Sequence, residues 1–115
     1  MDAQTVRAHA DAQCAALLAG DIDTAFKDLS SQLRSNMGEV IAQIPLPVTE
    51  ATVESVDLAG AGYLAVMHLV GENGEIRLHT RWKDRDGEPT IVEVSHIVET
   101  PAPPIGEETE DDASG

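Results

Sequence analysis

The sequence predicts one α+β domain: N-terminal helices packed on a curved C-terminal four-stranded antiparallel sheet over residues 1–98, followed by an acidic, proline-containing tail over 99–115. Three observations predict it. Apolar residues repeat at helical spacing up to Ile44 and at strand spacing from Thr49 onward. Pro45 and Pro47 separate the two regimes. Two dipeptides, Asn73-Gly74 and Asp86-Gly87, then mark tight hairpins, since a two-residue type I′ loop needs positive φ at both central positions.

In the first half, Ala3, Val6, Ala10, Cys14, Leu17 and Leu18 form a helical stripe that Gly20 is expected to end. Asp21 or Asp23 is the expected cap of a second helix with Ile22, Ala25, Phe26, Leu29 and Leu33 on its apolar face. Ser35 or Asn36 would open a short third helix carrying Met37, Val40, Ile41 and Ile44, with Gly38 as its weak point. In the second half, Thr49–Leu58 reads as a strand with Thr52, Glu54, Val56 and Leu58 on one side and Asp57 opposite Glu54. Tyr63–Val70, Glu75–Asp84 and Thr90–Val98 complete a meander. Beyond it, Pro101, Pro103 and Pro104 stop any ladder, and 106–115 is too polar to build a core.

With Asn73 and Gly74 as loop residues, His68 faces His79 and Val70 faces Arg77. With Asp86 and Gly87 in the same role, His79 faces Val94 and Arg77 faces His96. One sheet face then carries Ala65, Met67, Leu69, Ile76, Leu78, Thr80, Trp82, Ile91 and Ile97 and is the face the helices cover. The other carries Leu64, Val66, His68, Val70, Arg77, His79, Arg81, Val92, Val94, His96 and Val98. That second face is too apolar for water, and three short helices cannot cover both sides of a sheet. A second copy of the chain is the expected cover, giving a homodimer through the sheet face.

Composition narrows the function classes. A chain of 115 residues holds one core. With one Cys, no intrachain disulfide and no cysteine zinc cluster can form, and Cys14 reads as buried. Before Glu99 there remain 15 acids against 7 bases, so long-range repulsion argues against nucleic acid and anionic membrane as partners. No apolar run is long enough for a span and no leader pattern opens the chain, which gives a cytoplasmic expectation.

Four of the seven bases fall between Arg77 and Arg85. Arg77 and Arg81 flank His79; their guanidinium forks suit either interchain ion pairs or an anionic ligand such as a carboxylate. His68 and His79 are the candidate acid–base residues; a shared metal would need a third ligand, with His96 the nearest candidate, and no metal or other cofactor is expected. Lys83–Asp86 reads as a solvated hairpin end and Ser30-Ser31 as a helix-end feature without a nucleophile context.

Helices followed by a curved meander, with Ala19-Gly20-Asp21 breaking the first helix and Ala25-Phe26 after it, resemble the nuclear transport factor 2-like superfamily over about residues 3–98. That group includes ketosteroid isomerase, polyketide cyclases of the SnoaL type and many small proteins without assigned activity. The resemblance implies a sheet wrapped round a helix to form a conical apolar pocket, with dimers built on the opposite face. It implies two function classes: a non-enzymatic dimeric binding or scaffold protein, or a small pocket enzyme of isomerase, cyclase or dehydratase type acting on an apolar carbonyl or carboxylate compound. Family enzymes use an Asp or an Asp–His pair; no residue of this chain matches such a motif, and Tyr63, the one tyrosine, starts a strand.

Overall fold

A computed structural model describes residues 1–72 and 74–98, the side chain of Val98 excepted. Helix α1 spans Ala3–Ala19, α2 Ile22–Ala25, α3 Ser31–Ser35 and α4 Met37–Ala42; strands β1 Val48–Ala59, β2 Gly62–Gly71, β3 Gly74–Arg85 and β4 Glu88–Val98 follow. The strands form one antiparallel sheet in the order β1-β2-β3-β4, and α1 lies chiefly across β1 and β2. The α+β architecture expected from the sequence is the one observed. The expected tail over 99–115 lies outside the described residues, as does Asn73.

Asp2 caps α1 by accepting from the Thr5 amide at 2.8 Å. The helix ends where the sequence says it should: Gly20 has φ 75°, and the amides of Gly20 and Asp21 bond back to the carbonyls of Leu17 and Ala16. Asp21 then caps α2 through the Thr24 amide. Val6, Ala10, Gln13, Cys14, Ala16 and Leu17 are buried, whereas Leu18 is 47% exposed.

The second helix departs from expectation. Its apolar positions do not belong to one continuous helix, because Leu29 leaves the helical path and forms a parallel bridge with Ile91. The Ile91 amide donates to the Asp28 carbonyl at 2.8 Å, and the Ser30 amide donates to the Ile91 carbonyl at 2.9 Å. Ser30 then restarts the chain as α3, its hydroxyl accepting from the Leu33 amide. Asn36 precedes α4 without a side-chain cap.

Both hairpins form, with corrections to register. Asp86 and Gly87 have φ 56° and 84°, as a type I′ loop requires. In the first hairpin Gly71 pairs with Gly74, one position earlier than expected, so His68 faces Arg77 and His79 faces Val66. A Cβ on Gly71 would stand 2.1 Å from the Pro45 carbonyl oxygen, so only glycine fits this strand end. The slip moves each partner by two positions and therefore leaves the β2 and β3 side chains on their expected faces.

β-Bulges do change faces. In β4, Ile91 faces Trp82 but Glu93 faces Arg81, leaving Val92 as the extra residue. Beyond it Val94 and His96 pair with Thr80 and Leu78 and join the helix side, contrary to expectation, while Ile97 turns outward and is 52% exposed. In β1, Glu54 is extra between Val53, opposite Met67, and Ser55, opposite Val66. Thr52, Glu54 and Asp57 consequently share the open face, and Val56 packs on the core instead of joining them.

The core lies between α1 and the helix-facing side of the sheet. Ala65, Met67, Leu69, Thr80, Trp82 and Ile91 have no exposed surface. Trp82 Nε1 donates to Thr80 Oγ1 at 2.8 Å, and that hydroxyl donates to the Ala65 carbonyl at 3.1 Å, so both buried polar groups are satisfied.

Burial, with Asp11 nearby, raises the Cys14 thiol to about 11 from 9.0. Its neutral form is favoured in the fold, so stability falls as pH rises from 9.0 to about 11. At pH 8 the native thiol should react with a disulfide reagent at least about a hundredfold more slowly than the denatured chain. A Cβ on Gly62 would stand 2.0 Å from the Trp82 carbonyl oxygen, whereas one on Gly38 in α4 meets nothing within 4 Å. Calorimetry should find Gly38→Ala more stable by about 0.5–1 kcal/mol and Gly62→Ala with a lowered Tm.

Candidate functional site

The open sheet face bears most of the residues singled out by sequence. The odd-numbered residues of β3 from Glu75 to Lys83 point to it by strand alternation. On β2, the half-buried Leu64, Val66 and Val70 line it beside His68. Charges therefore stand in columns: Glu50, Glu54 and Asp57 on β1, a largely apolar column interrupted by His68 on β2, a mainly basic column of Glu75, Arg77, His79, Arg81 and Lys83 on β3, and Glu93 on β4.

Both arginines of this face, and His68, are paired with carboxylates within the chain. Arg77 reaches over β2 to Glu54, its Nε at 2.6 Å and Nη2 at 3.1 Å from the two carboxylate oxygens. Those hydrogen bonds, and the arginine charge, hold the Glu54 carboxyl below its ordinary value despite some desolvation. Arg81 Nε bonds Glu93 directly opposite at 3.2 Å. His68 Nε2 contacts the Glu75 carboxylate, diagonal to it across the strand pair. His79 makes no side-chain hydrogen bond among the described residues and lines a shallow depression of about 180 Å³ with Leu64, Arg81, Glu93 and Ser95.

The structure does not bring all six expected residues together. His68, Arg77, His79 and Arg81 share the open face, but Val94 and His96 lie on the other side because of the Val92 bulge. Val94 packs on the core, and His96 Nδ1 bonds Gln43 Oε1 at 2.8 Å. His68 and His79 are diagonal rather than opposite. Among the described residues no group of three His, Cys, Asp or Glu side chains could hold a metal ion.

The sequence reading missed a second polar group, at the seam between α1 and the sheet. His9 Nδ1 contacts Asp28 Oδ2 at 2.9 Å, both side chains being largely buried, and its ring stands edge-on to Trp82 with centroids 6.1 Å apart. One turn along α1, Gln13 is buried and its Oε1 has no hydrogen-bond partner among the described residues. The available signal was the helical spacing of His9 and Gln13; Asp28, the partner of His9, stands beside the Leu29–Ile91 bridge, which no local pattern announces.

The geometry defines a class: helices on a four-stranded antiparallel meander, the fold of nuclear transport factor 2-like proteins. A solved structure of this kind, an NTF-2-like protein of unknown function from Burkholderia xenovorans LB400, superposes with a TM-score of 0.60 at 16% identity, covering 90% of this chain and 89% of that one. That likeness shows the fold. No family model and no curated protein matches the sequence. Among the described residues no helix is long and apolar enough to cross a membrane.

The Arg77–Glu54 pair yields a prediction. A carboxyl lowered in the fold contributes stability above its ordinary range, and that contribution is lost as pH falls through the lowered value. In an NMR titration, Arg77→Gln should move the Glu54 midpoint upward toward the ordinary value of 4.5 and leave that of Asp21, capped by its own helix, unmoved.

Proposed function

We propose that this protein is a non-enzymatic binding or scaffold module that self-associates as a homodimer through its open sheet face. The observation that carries this reading is the arrangement of that face in columns. Strands are about 4.8 Å apart, and the acid column of β1 and the base column of β3 lie equally far on either side of β2. A two-fold axis running along β2 would lay Glu54 and Asp57 of one copy over the Arg77–Arg81 stretch of the other and the β2 column on itself, with Glu50 over Glu75 as the like-charge exception. Such a surface is self-complementary, as an isologous interface must be. The filled helix-facing side of the sheet supports the same reading: Trp82, Met67 and Leu69 occupy, without exposed surface, the side where the resemblance implies a ligand cavity.

A second reading, a pocket enzyme of isomerase, cyclase or dehydratase type, is favoured by one observation, the His9–Asp28 pair against Trp82. A carboxylate that orients an imidazole is suited to moving a proton. Under this reading the acid–base residue is His9, since His68 is engaged with Glu75 and His79 sits in a shallow outer depression.

Light scattering decides between them. Wild type should have the mass of a dimer, and Val66→Glu, a charge at the centre of the apolar column, should have that of a folded monomer. A monomeric wild type, or a Val66→Glu dimer, overturns the scaffold reading. The enzyme reading requires that carbonyl compounds raise the Tm of wild type but not of His9→Gln.

A further inference from the structure

A cleft lies between the start of α3 and the β3–β4 hairpin, apart from the open-face charge columns. It has a volume of about 410 Å³ and is walled by Leu29, Ser31, Arg34, Arg85, Asp86 and Thr90. Both walls are held in place. The Leu29–Ile91 bridge ties the α3 side to β4. On the hairpin side, the Gly87 amide donates to Asp84 Oδ1 at 2.8 Å and closes the type I′ loop.

The charges here differ from those on the open face. Arg77 and Arg81 are each matched to a carboxylate. Among the described residues Arg34 donates only to neutral carbonyls, with Nε to Leu29 at 3.2 Å and Nη2 to Lys27, which orients the guanidinium without neutralising it. The Arg85 side chain has no hydrogen bond or ion pair among the described residues. In a chain with 21 acids and 7 bases, two arginines lacking carboxylate partners and lining one cleft form a local positive site in an acidic surface. Lys27 adds to it from the adjoining depression, which shares Arg34.

We propose that this cleft binds a small phosphorylated polyhydroxy molecule, its phosphoryl group held between Arg34 and Arg85. Two guanidinium groups match a dianion with three outward oxygens, whereas one fork already satisfies a carboxylate. The Ser31 hydroxyl supplies an uncharged donor to the same group, while the Thr90 hydroxyl, which donates to the Glu88 carbonyl at 3.2 Å, is left to accept from a ligand hydroxyl. The Asp86 carboxylate, which would repel a bare anion, accepts from hydroxyls on the organic part, and Leu29 gives that part an apolar floor. The volume falls in the range of small-molecule sites, about 300–1,000 Å³, and is far larger than a phosphate alone needs.

The test is an amide-resolved NMR titration of the full chain with ribose 5-phosphate, inorganic phosphate and ribose. Ribose 5-phosphate should give saturable shifts in both 30–34 and 85–90, and inorganic phosphate the same shifts with weaker affinity. Ribose alone should give none that saturate. Arg85→Gln, in an exposed hairpin, should weaken ribose 5-phosphate by about tenfold, as expected for one charge-assisted contact. Arg7→Gln, which removes the same charge from α1, should leave affinity unchanged. Absence of saturable shifts in these segments overturns the site. Equal weakening by Arg7→Gln and Arg85→Gln reduces it to a general charge effect and also overturns it. Equal affinity for inorganic phosphate and ribose 5-phosphate overturns the polyhydroxy assignment.

Discussion

The indole of Trp82 must be buried and its N–H must find a partner, and the surrounding structure is arranged to meet both demands. The partner is Thr80, two residues back on the same strand and the same face, whose hydroxyl passes the requirement on to the Ala65 carbonyl. Thr80 is thereby fixed as a buried polar residue in an otherwise apolar layer. The Trp82 backbone carbonyl leaves no room for a side chain at position 62, so β2 must begin with glycine. Ile91 pairs opposite Trp82 and bridges to Leu29, so the same point on the sheet interrupts the second helix and starts the third. His9 closes the group from α1. A buried tryptophan is worth about 3–5 kcal/mol against alanine, a large share of the stability of a small domain.

Two bulges then decide which residues act together. Without the extra Val92, Val94 and His96 would stand beside His79 and Arg77; with it, Glu93 takes the place opposite Arg81 and neutralises it. Without the extra Glu54, the carboxylate that meets Arg77 would not lie where it does relative to Asp57. The outcome is a face whose arginines are already matched to acids. That electrostatic state suits a surface meeting a like surface, because no guanidinium has to be stripped of water without a partner. It is poorly suited to capturing an anion from solution. Arg34 and Arg85, which have no carboxylate partner among the described residues, stand elsewhere, between α3 and the second hairpin.

The sequence by itself determined the architecture. The helical spacing of α1, the Pro45–Pro47 boundary, the left-handed stop at Gly20 and the Asp86-Gly87 loop are all local. Each depends on the φ/ψ preference or the face of a few neighbouring residues, and each is observed. Parity along β2 and β3 was legible for the same reason, and it placed Trp82, Met67 and Leu78 in the core. Tertiary structure decided the rest. The Gly71–Gly74 register and the bulges at Glu54 and Val92 are features of pairing between strands, and the Pro45 carbonyl stands where a side chain at position 71 would be. Position 28 came to face His9, and Arg34 to share a cleft with Arg85, only because Leu29 pairs with a strand 62 residues further on. Contacts of that separation leave no trace in local periodicity, since what selects them is the fit of the whole core.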